Sequence, residues 1–428
     1  MSAVPSSRQP PSTPRLARAL IEDFVRAYLD RRESYLAILA RHPAPLYLIE
    51  SGVLRQRAER MRRTFEDRLE AVSFYFAVKS NNHPHVAGTL IDAGFGLDVS
   101  SGLELAMALE LGAAEIVFSG PGKTADELRL AVANAERVTV LMDSFGELER
   151  LGAMVAGRDT APLRCGVRLT VDPRGLWRKF GIALEELPAF MAAADGYPGL
   201  TLSGLQFHTS WNLSPAPQAA FMATLGKALR ELPAAHRNRI GFVDIGGGYW
   251  PEQGEWLQAA GTPEGKWREA RGLAAGVPGA HYHRPAVSIE AFAEGLGTAV
   301  RQHLRSAVDC RIGLEPGRWI CNDAVQLFLT VVDRKAPDLV ITDAGTNAVG
   351  WERFETDYCP VLNLSRPSLV ERPCHILGAL CTPHDVWGYT YFGEDIRVGD
   401  ILMIPAQGAY TYSLRQDFIK PLPKTHTI

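Results

Sequence analysis

Val72-Ser-Phe-Tyr-Phe-Ala-Val-Lys79, followed by Ser80-Asn-Asn-His-Pro84, decides how this chain is read. The run is apolar, aromatic and β-branched, which predicts a buried strand closed by a lysine. A lysine there is costly to bury unless it is paired or chemically used. Two readings stand at this point. Either the side chain snorkels out of a strand end, or its amine is a reactive group able to form a Schiff base with an aldehyde.

Working outward, strand-like and helical segments alternate from Val72 to Arg318. The predicted strands are Val72–Lys79, Gly96–Ser101, Ile116–Gly120, Arg137–Asp143, Leu163–Thr170, Leu202–His208, Gly241–Gly247 and Arg311–Glu315. Leu103–Leu111 is the clearest helix between them. Eight such units predict a (β/α)8 TIM barrel, with an open doubly wound sheet as the alternative. Beyond Arg318, Val325–Val332, Leu339–Thr342, Cys374–Leu380, Asp400–Ile404 and Tyr410–Ser413 read as short strands of a C-terminal β-sandwich or β-barrel domain. The expected division is a disordered tail over 1–14, a segment over 15–50 packing with the β domain, a barrel over 51–322, and the β domain over 323–428. A stretch rich in Gly, Pro, Trp and His at about 250–288 is too long for a simple connection and reads as a lid or a surface insertion.

Composition narrows the function classes. The 428 residues are 46 % hydrophobic and 22 % charged, an ordinary globular mixture. A net charge of −3 without a long basic run argues against nucleic acid as a partner. No apolar stretch reaches the ~18 residues of a membrane span. The six cysteines lack CxxC spacing, so neither a zinc site nor a disulfide framework is indicated, and a cytoplasmic location is the simplest expectation.

Four clusters carry candidate chemistry. Asp244-Ile-Gly-Gly-Gly-Tyr249 ends the seventh strand; its glycines either close main-chain N–H groups around an anion, ideally at a helix start, or form a plain tight turn. Leu314-Glu315-Pro-Gly-Arg318 ends the eighth, where Glu315 can hold a pyridine nitrogen protonated, Gly317 allows close approach and Arg318 suits phosphate or carboxylate; the alternative is a surface turn with a Glu–Arg pair. Gln206-Phe-His208-Thr-Ser-Trp-Asn212 ends the sixth, with His208 as an acid, a stacking partner or a structural histidine. In the β domain, Cys381-Thr-Pro-His-Asp385 and Gly408-Ala-Tyr410 offer a thiol and a hydroxyl, each equally readable as core.

In order along the chain, Phe76-Ala-Val-Lys-Ser-Asn81, Gly96-Leu-Asp-Val-Ser-Ser-Gly-Leu-Glu104, Ser119-Gly-Pro-Gly-Lys123, Lys179-Phe-Gly-Ile182, Asp244–Gly248, Glu315–Arg318, Cys381 with Asp385, and Gly408–Tyr410 resemble the fold-type III pyridoxal-phosphate enzymes. That superfamily includes alanine racemase and the diaminopimelate, ornithine and arginine decarboxylases; the match is better on the decarboxylase side and covers roughly Pro45 to Phe418. The resemblance implies pyridoxal 5'-phosphate on Lys79, with Asp98, His208, Ser210, Gly246, Gly247, Gly248, Glu315, Gly317, Arg318 and Tyr410 around it. It implies Lys79, His208, Glu315 and Cys381 as catalytic groups and Arg353, Thr382 and Asp385 near the substrate. A glutamate facing the pyridine nitrogen favours decarboxylation, whereas alanine racemases use an arginine there. The resemblance also implies a homodimer with shared active sites, Cys381 crossing from the second subunit and Lys179 pairing with Asp385 across the interface.

Departures shape the substrate expectation. Ser210 and Trp211 stand where the family often has Gly-Ser. Thr382 replaces an acid that holds the distal amine of diamino acids, and the Arg-Pro segment after the Asp343-Ala-Gly-Thr-Asn347 region is out of register, leaving Arg353 as the nearest arginine. A small amino-acid-like substrate, modified or bulkier, free or carrier-linked, is therefore expected. A racemase or other enzyme of the same fold, and a non-catalytic regulatory homologue, are the alternatives.

Overall fold

In the computed structural model, residues 10, 12–157, 162–276, 279–350 and 353–428 are described; most of the expected disordered tail lies outside them. The chain divides into two compact units. One comprises Leu54–Glu252 and Val287–Cys321, the other Met1–Val53, Gln253–Ala286 and Asn322–Ile428.

The first unit is a closed barrel of eight parallel strands: Val72–Ala77, Gly96–Val99, Ile116–Phe118, Val138–Met142, Leu163–Leu169, Leu200–Phe207, Phe242–Gly247 and Arg311–Glu315. Closure is direct. Ile312 and Leu314 pair with Val72 and Phe74 on one side, and Ile312 with Val243 on the other. Leu97, Phe118, Val140, Val167 and Leu205 are buried because a parallel barrel is covered on both faces, which explains the near-continuous apolar runs. Short polar caps turn strands into helices: Ser101, Thr124, Ser144 and Ser288 each accept a backbone N–H of the following first turn, and Thr124 forms a capping box with Glu127. The open doubly wound alternative is thus excluded.

Two local expectations change. Lys79 is not a strand residue: the strand ends at Ala77 and Val78–Ser80 is a 3-10 turn. The glycine run does not open a helix. After Gly248 the chain pairs with the loop of Asn212, whose N–H donates to Gly248 O at 3.0 Å while Trp250 N donates to Asn212 O at 3.1 Å.

The second unit is built on an eight-stranded sheet in the order 339–342, 371–377, 386–392, 362–363, 401–404, 325–336, 46–49, 424–427. Leu46–Ile49 runs antiparallel to Val325–Phe328 and parallel to Lys424–Thr427, so the sheet joins distant parts of the chain. Tyr35, Phe328, Trp256, Tyr358 and Met403 belong to its core. Tyr410–Ser413, expected as a strand, is a turn with Tyr410 at φ 58°, running into the 3-10 turn Tyr412–Leu414.

The 253–286 stretch, expected as a lid or a surface insertion, belongs to this unit. Its hairpin, Glu255–Leu257 with Tyr282–Arg284, is held by Glu371, which accepts from His281 Nε2 at 2.8 Å, Tyr358 Oη at 2.9 Å and Thr390 Oγ1 at 2.6 Å. His281 also stacks on Tyr358 with centroids 3.5 Å apart. Burial pushes the Glu371 carboxyl up, but the His281 bond and charge outweigh it and hold it below the usual range.

Candidate active site

The candidate residues of the barrel gather at the carboxyl ends of its strands, where parallel barrels assemble reactive groups. Lys79 follows the first strand, His208 the sixth, Gly246–Gly247 end the seventh and Glu315 the eighth. Lys79 Nζ lies 2.5 Å from Asp98 Oδ2, and the Asp98 side chain is wholly buried. Asp98 Oδ1 accepts from Ser119 Oγ, which ties the second and third strands to the lysine.

Glu315 is the centre of the polar network. Its Oε1 accepts from Gln206 Nε2 at 3.0 Å, and its Oε2 lies 3.3 Å from His208 Nδ1. Burial alone would raise this carboxyl. The His208 bond and the Lys79 charge outweigh it and hold it at about 2. His208 is itself lowered by burial, against the opposing pull of Glu315, so it is a neutral imidazole at neutral pH. Next to an ionised carboxylate its proton belongs on Nδ1, so the 3.4 Å approach of Gly247 N to the same atom is a contact rather than a donated bond. A register shift between Gly313 and Glu315 aims the glutamate inward.

Two other buried carboxyls sit in the same field. Asp98 is raised by burial and by Glu315, against Lys79. Asp244 is raised well above its ordinary value by burial and Glu315, although its Oδ1 accepts from Gly246 N at 2.8 Å. Of these three neighbouring carboxyls, Glu315, with His208 and Gln206 bonded to it, is the one held below its ordinary value.

The glycines are fixed by close approach. A Cβ on Gly247 would stand 1.9 Å from Glu315 O, and one on Gly246 2.8 Å from His208 Nδ1. Gly246 and Gly248 have φ of 72° and 80°. At Gly317 a Cβ would meet Ser80 Oγ at 2.8 Å. The Arg318 guanidinium lies 4.2 Å from the Trp250 ring centroid and 5.9 Å from that of Trp211. Trp211, beside Ser210, adopts φ 55° and is 60 % exposed, an uncommon backbone state for a bulky residue. Arg168 was missed by the sequence reading: it is buried, donates to Ser119 O at 3.1 Å, stacks over Phe180 at 4.5 Å and acts on both Glu315 and His208. Its only sequence signal was a charge inside a strand, Leu163–Leu169.

In the other unit Cys381 is exposed, at the head of a loop organised by Asp385. The Asp385 carboxylate is 2 % exposed and accepts from Leu380 N at 2.7 Å, Thr346 N at 2.7 Å and Thr346 Oγ1 at 3.0 Å. Space for it exists because a Cβ at Gly378 would lie 2.2 Å from Asp385 Oδ2. These three bonds make Asp385 the anchor of its loop. Thr382 Oγ1 caps the same turn, accepting from His384 N at 3.4 Å. Arg353 begins the helix Arg353–Thr356; its side chain lies outside the described residues. Among the described residues no group of three or more His, Cys, Asp or Glu could hold a metal ion, and no helix is long and apolar enough to cross a membrane.

The family described as pyridoxal-dependent decarboxylase, pyridoxal binding domain, matches residues 52–270, just over half of the chain. A diaminopimelate decarboxylase from Actinosynnema pretiosum subsp. auranticum is 28 % identical over 409 residues, 89 % of this chain and 83 % of the relative. An L-glutamyl-[BtrI acyl-carrier protein] decarboxylase from Niallia circulans is 26 % identical over 421 residues, 90 % of this chain and 88 % of the relative. Among solved structures, the diaminopimelate decarboxylase from M. jannaschi superposes with a TM-score of 0.76 at 21 % identity, covering 91 % of this chain and 88 % of the other; that likeness concerns the fold.

Proposed function

The chain belongs to the pyridoxal-dependent decarboxylases, and from that premise we propose that it removes the α-carboxyl group of a modified or bulkier amino acid, with Lys79 as the amine that carries the cofactor. Pyridoxal phosphate, when bound, supplies an aldehyde for amines and a ring that accepts the electrons released when an α bond breaks. The barrel residues fit such a group: an amine, an ionised carboxylate, a neutral imidazole and a guanidinium, beside glycines that leave room for close approach.

The observation that carries the reading is the place of Glu315, buried at the end of the eighth strand with Gln206 and His208 bonded to its carboxylate, an arrangement that favours its ionised form. A carboxylate there would hold the pyridine nitrogen of a bound cofactor in its protonated form. Each of its oxygens, already accepting one bond from Gln206 or His208, retains a further lone pair. Asp98 holds the Lys79 amine in one place. His208, fixed through Nδ1, offers its ring face for stacking. Ser210, Gly246, Gly247, Gly248, Gly317 and Arg318 are proposed to receive the phosphate, together with the Tyr410 hydroxyl from the β unit. Cys381 is proposed to return a proton to the substrate carbon, from the second subunit of a homodimer.

Thr382 in place of an acid supports a substrate without a free distal amine, since an anion there would be worth on the order of 1.5–3 kcal/mol to a diamino acid. The carrier-linked glutamyl substrate in the name of the Niallia circulans relative is of that kind. Carbon dioxide release over a panel of free diamino acids, N-acylated or amidated amino acids and carrier-linked aminoacyl groups tests the proposal. Release confined to free diamino acids would overturn the substrate class, and no release from any member would overturn the reaction.

A further inference from the structure

At the opposite end of the barrel from Lys79, the amino-terminal mouth holds a cavity of about 330 Å³, within the size range of small-molecule sites. Three guanidiniums from three different strands or strand starts line it: Arg137, Arg164 and Arg311. Glu115 is the one carboxylate among the described lining residues, and Tyr75, Thr139 and Ser203 add hydroxyls. The chain as a whole is acidic, at −3, so this concentration of positive charge is not a property of its surface at large.

We propose that this cavity is a second binding site, for a compact polyanion bearing two or more phosphate or carboxylate groups. The existing partners of the arginines are few for five-donor groups. Arg311 reaches Ser73 Oγ at 3.3 Å and Glu115 only at 3.9 Å. Arg164 donates to Glu136 O at 3.0 Å. Arg137 meets Asn134 Oδ1 at 3.4 Å and its own neighbour Glu136 at 3.4 Å. These contacts are thus backbone, hydroxyl or amide oxygens and two long ion pairs, which leaves fork-like N–H pairs for bidentate anion recognition. Glu115 is itself engaged by the Tyr75 hydroxyl at 3.1 Å, which draws its charge toward the wall. Cations contributed by three separate strands or strand starts can meet several linked anionic groups at once.

The test uses the holoenzyme with saturating pyridoxal phosphate, so that the cofactor's own phosphate position is filled. Inorganic pyrophosphate and citrate are titrated calorimetrically in a buffer free of other multivalent anions. Saturable binding near one equivalent per chain is expected, weakened about tenfold or more in Arg164→Gln and in Arg311→Gln, since each loses a charge-assisted contact. Tighter binding of pyrophosphate points to a phosphate-bearing ligand and of citrate to a polycarboxylate; either supports the site. Absence of saturable binding, or binding unchanged in both variants, overturns it. No decarboxylation is read, so the result is independent of the proposed reaction.

Discussion

Lys79 Nζ stands 2.5 Å from the wholly buried carboxyl of Asp98, and that carboxyl is in turn bound by Ser119. The pair fixes the direction of the one barrel lysine proposed to react. Asp98→Asn keeps the shape and removes the charge. It is expected to lower kcat by roughly tenfold to a hundredfold, from a lost contact of ~1.5–3 kcal/mol, with the cofactor retained. Absorbance of bound cofactor and steady-state rates check this; an unchanged kcat would show that Asp98 does not position the amine.

Lys79 itself gives a covalent test. The purified protein is expected to be yellow, and borohydride should bleach the visible band and leave a reduced adduct on Lys79. Peptide mass mapping reads the site. An adduct on another lysine would remove the basis of the assignment.

Glu315→Gln is expected to keep cofactor but lose decarboxylation by several orders of magnitude, because a neutral amide cannot hold the ring nitrogen protonated. A stability consequence follows from the same carboxyl. Its folded value, about 2, lies below the ordinary 4.5. A depressed acid contributes stability above its unfolded value, and that contribution is lost as pH falls through the folded one. The urea midpoint gap between the wild type and Glu315→Gln should therefore be widest above about pH 4.5 and close toward about pH 2. A gap that widens on acidification would contradict the ionised state of Glu315.

Much of this arrangement was legible in the sequence, for identifiable reasons. Eight apolar runs bounded by Ser, Thr and Gly gave the barrel, because parallel strands must be buried on both faces. Lys79, Glu315 and His208 stood out as polar groups ending such runs. What escaped were relations across the barrel. Arg168 sits mid-strand and matters only because closure brings it within the field of Glu315 and His208. Asp385 read as a substrate or interface acid, and nothing local reveals that the N–H groups of Leu380 and Thr346 bind it as a loop anchor. The β unit was harder still: Leu362–Asn363 is a two-residue strand, and Leu46–Ile49 and Lys424–Thr427 pair from opposite ends of the chain.

Asp385→Ala should act through the loop it anchors. Three donors would lose a buried acceptor, a loss of about 1–3 kcal/mol or more. Lower thermal stability is expected together with altered alkylation of the exposed Cys381 thiol. Normal stability would show that the loop does not depend on this carboxylate.

The shared-site proposal is tested by complementation. Lys79→Ala and Cys381→Ala chains place their lesions in different units, the barrel and the β unit respectively. Each homodimer is expected to be inactive or weak, because both of its sites lack one of the two groups. If Cys381 serves the barrel of the second chain, a heterodimer concentrates both lesions in one site and leaves the other with both wild-type residues. Random mixing makes half of the dimers hybrid, each with one intact site of two, so recovery should approach about a quarter of wild-type activity, as isologous pairing requires. If Cys381 instead serves its own barrel, every site in the hybrid carries one lesion and nothing is recovered. Hybrid formation is checked by native mass spectrometry before the rates are read, so that a flat result in the presence of hybrids counts against the shared site.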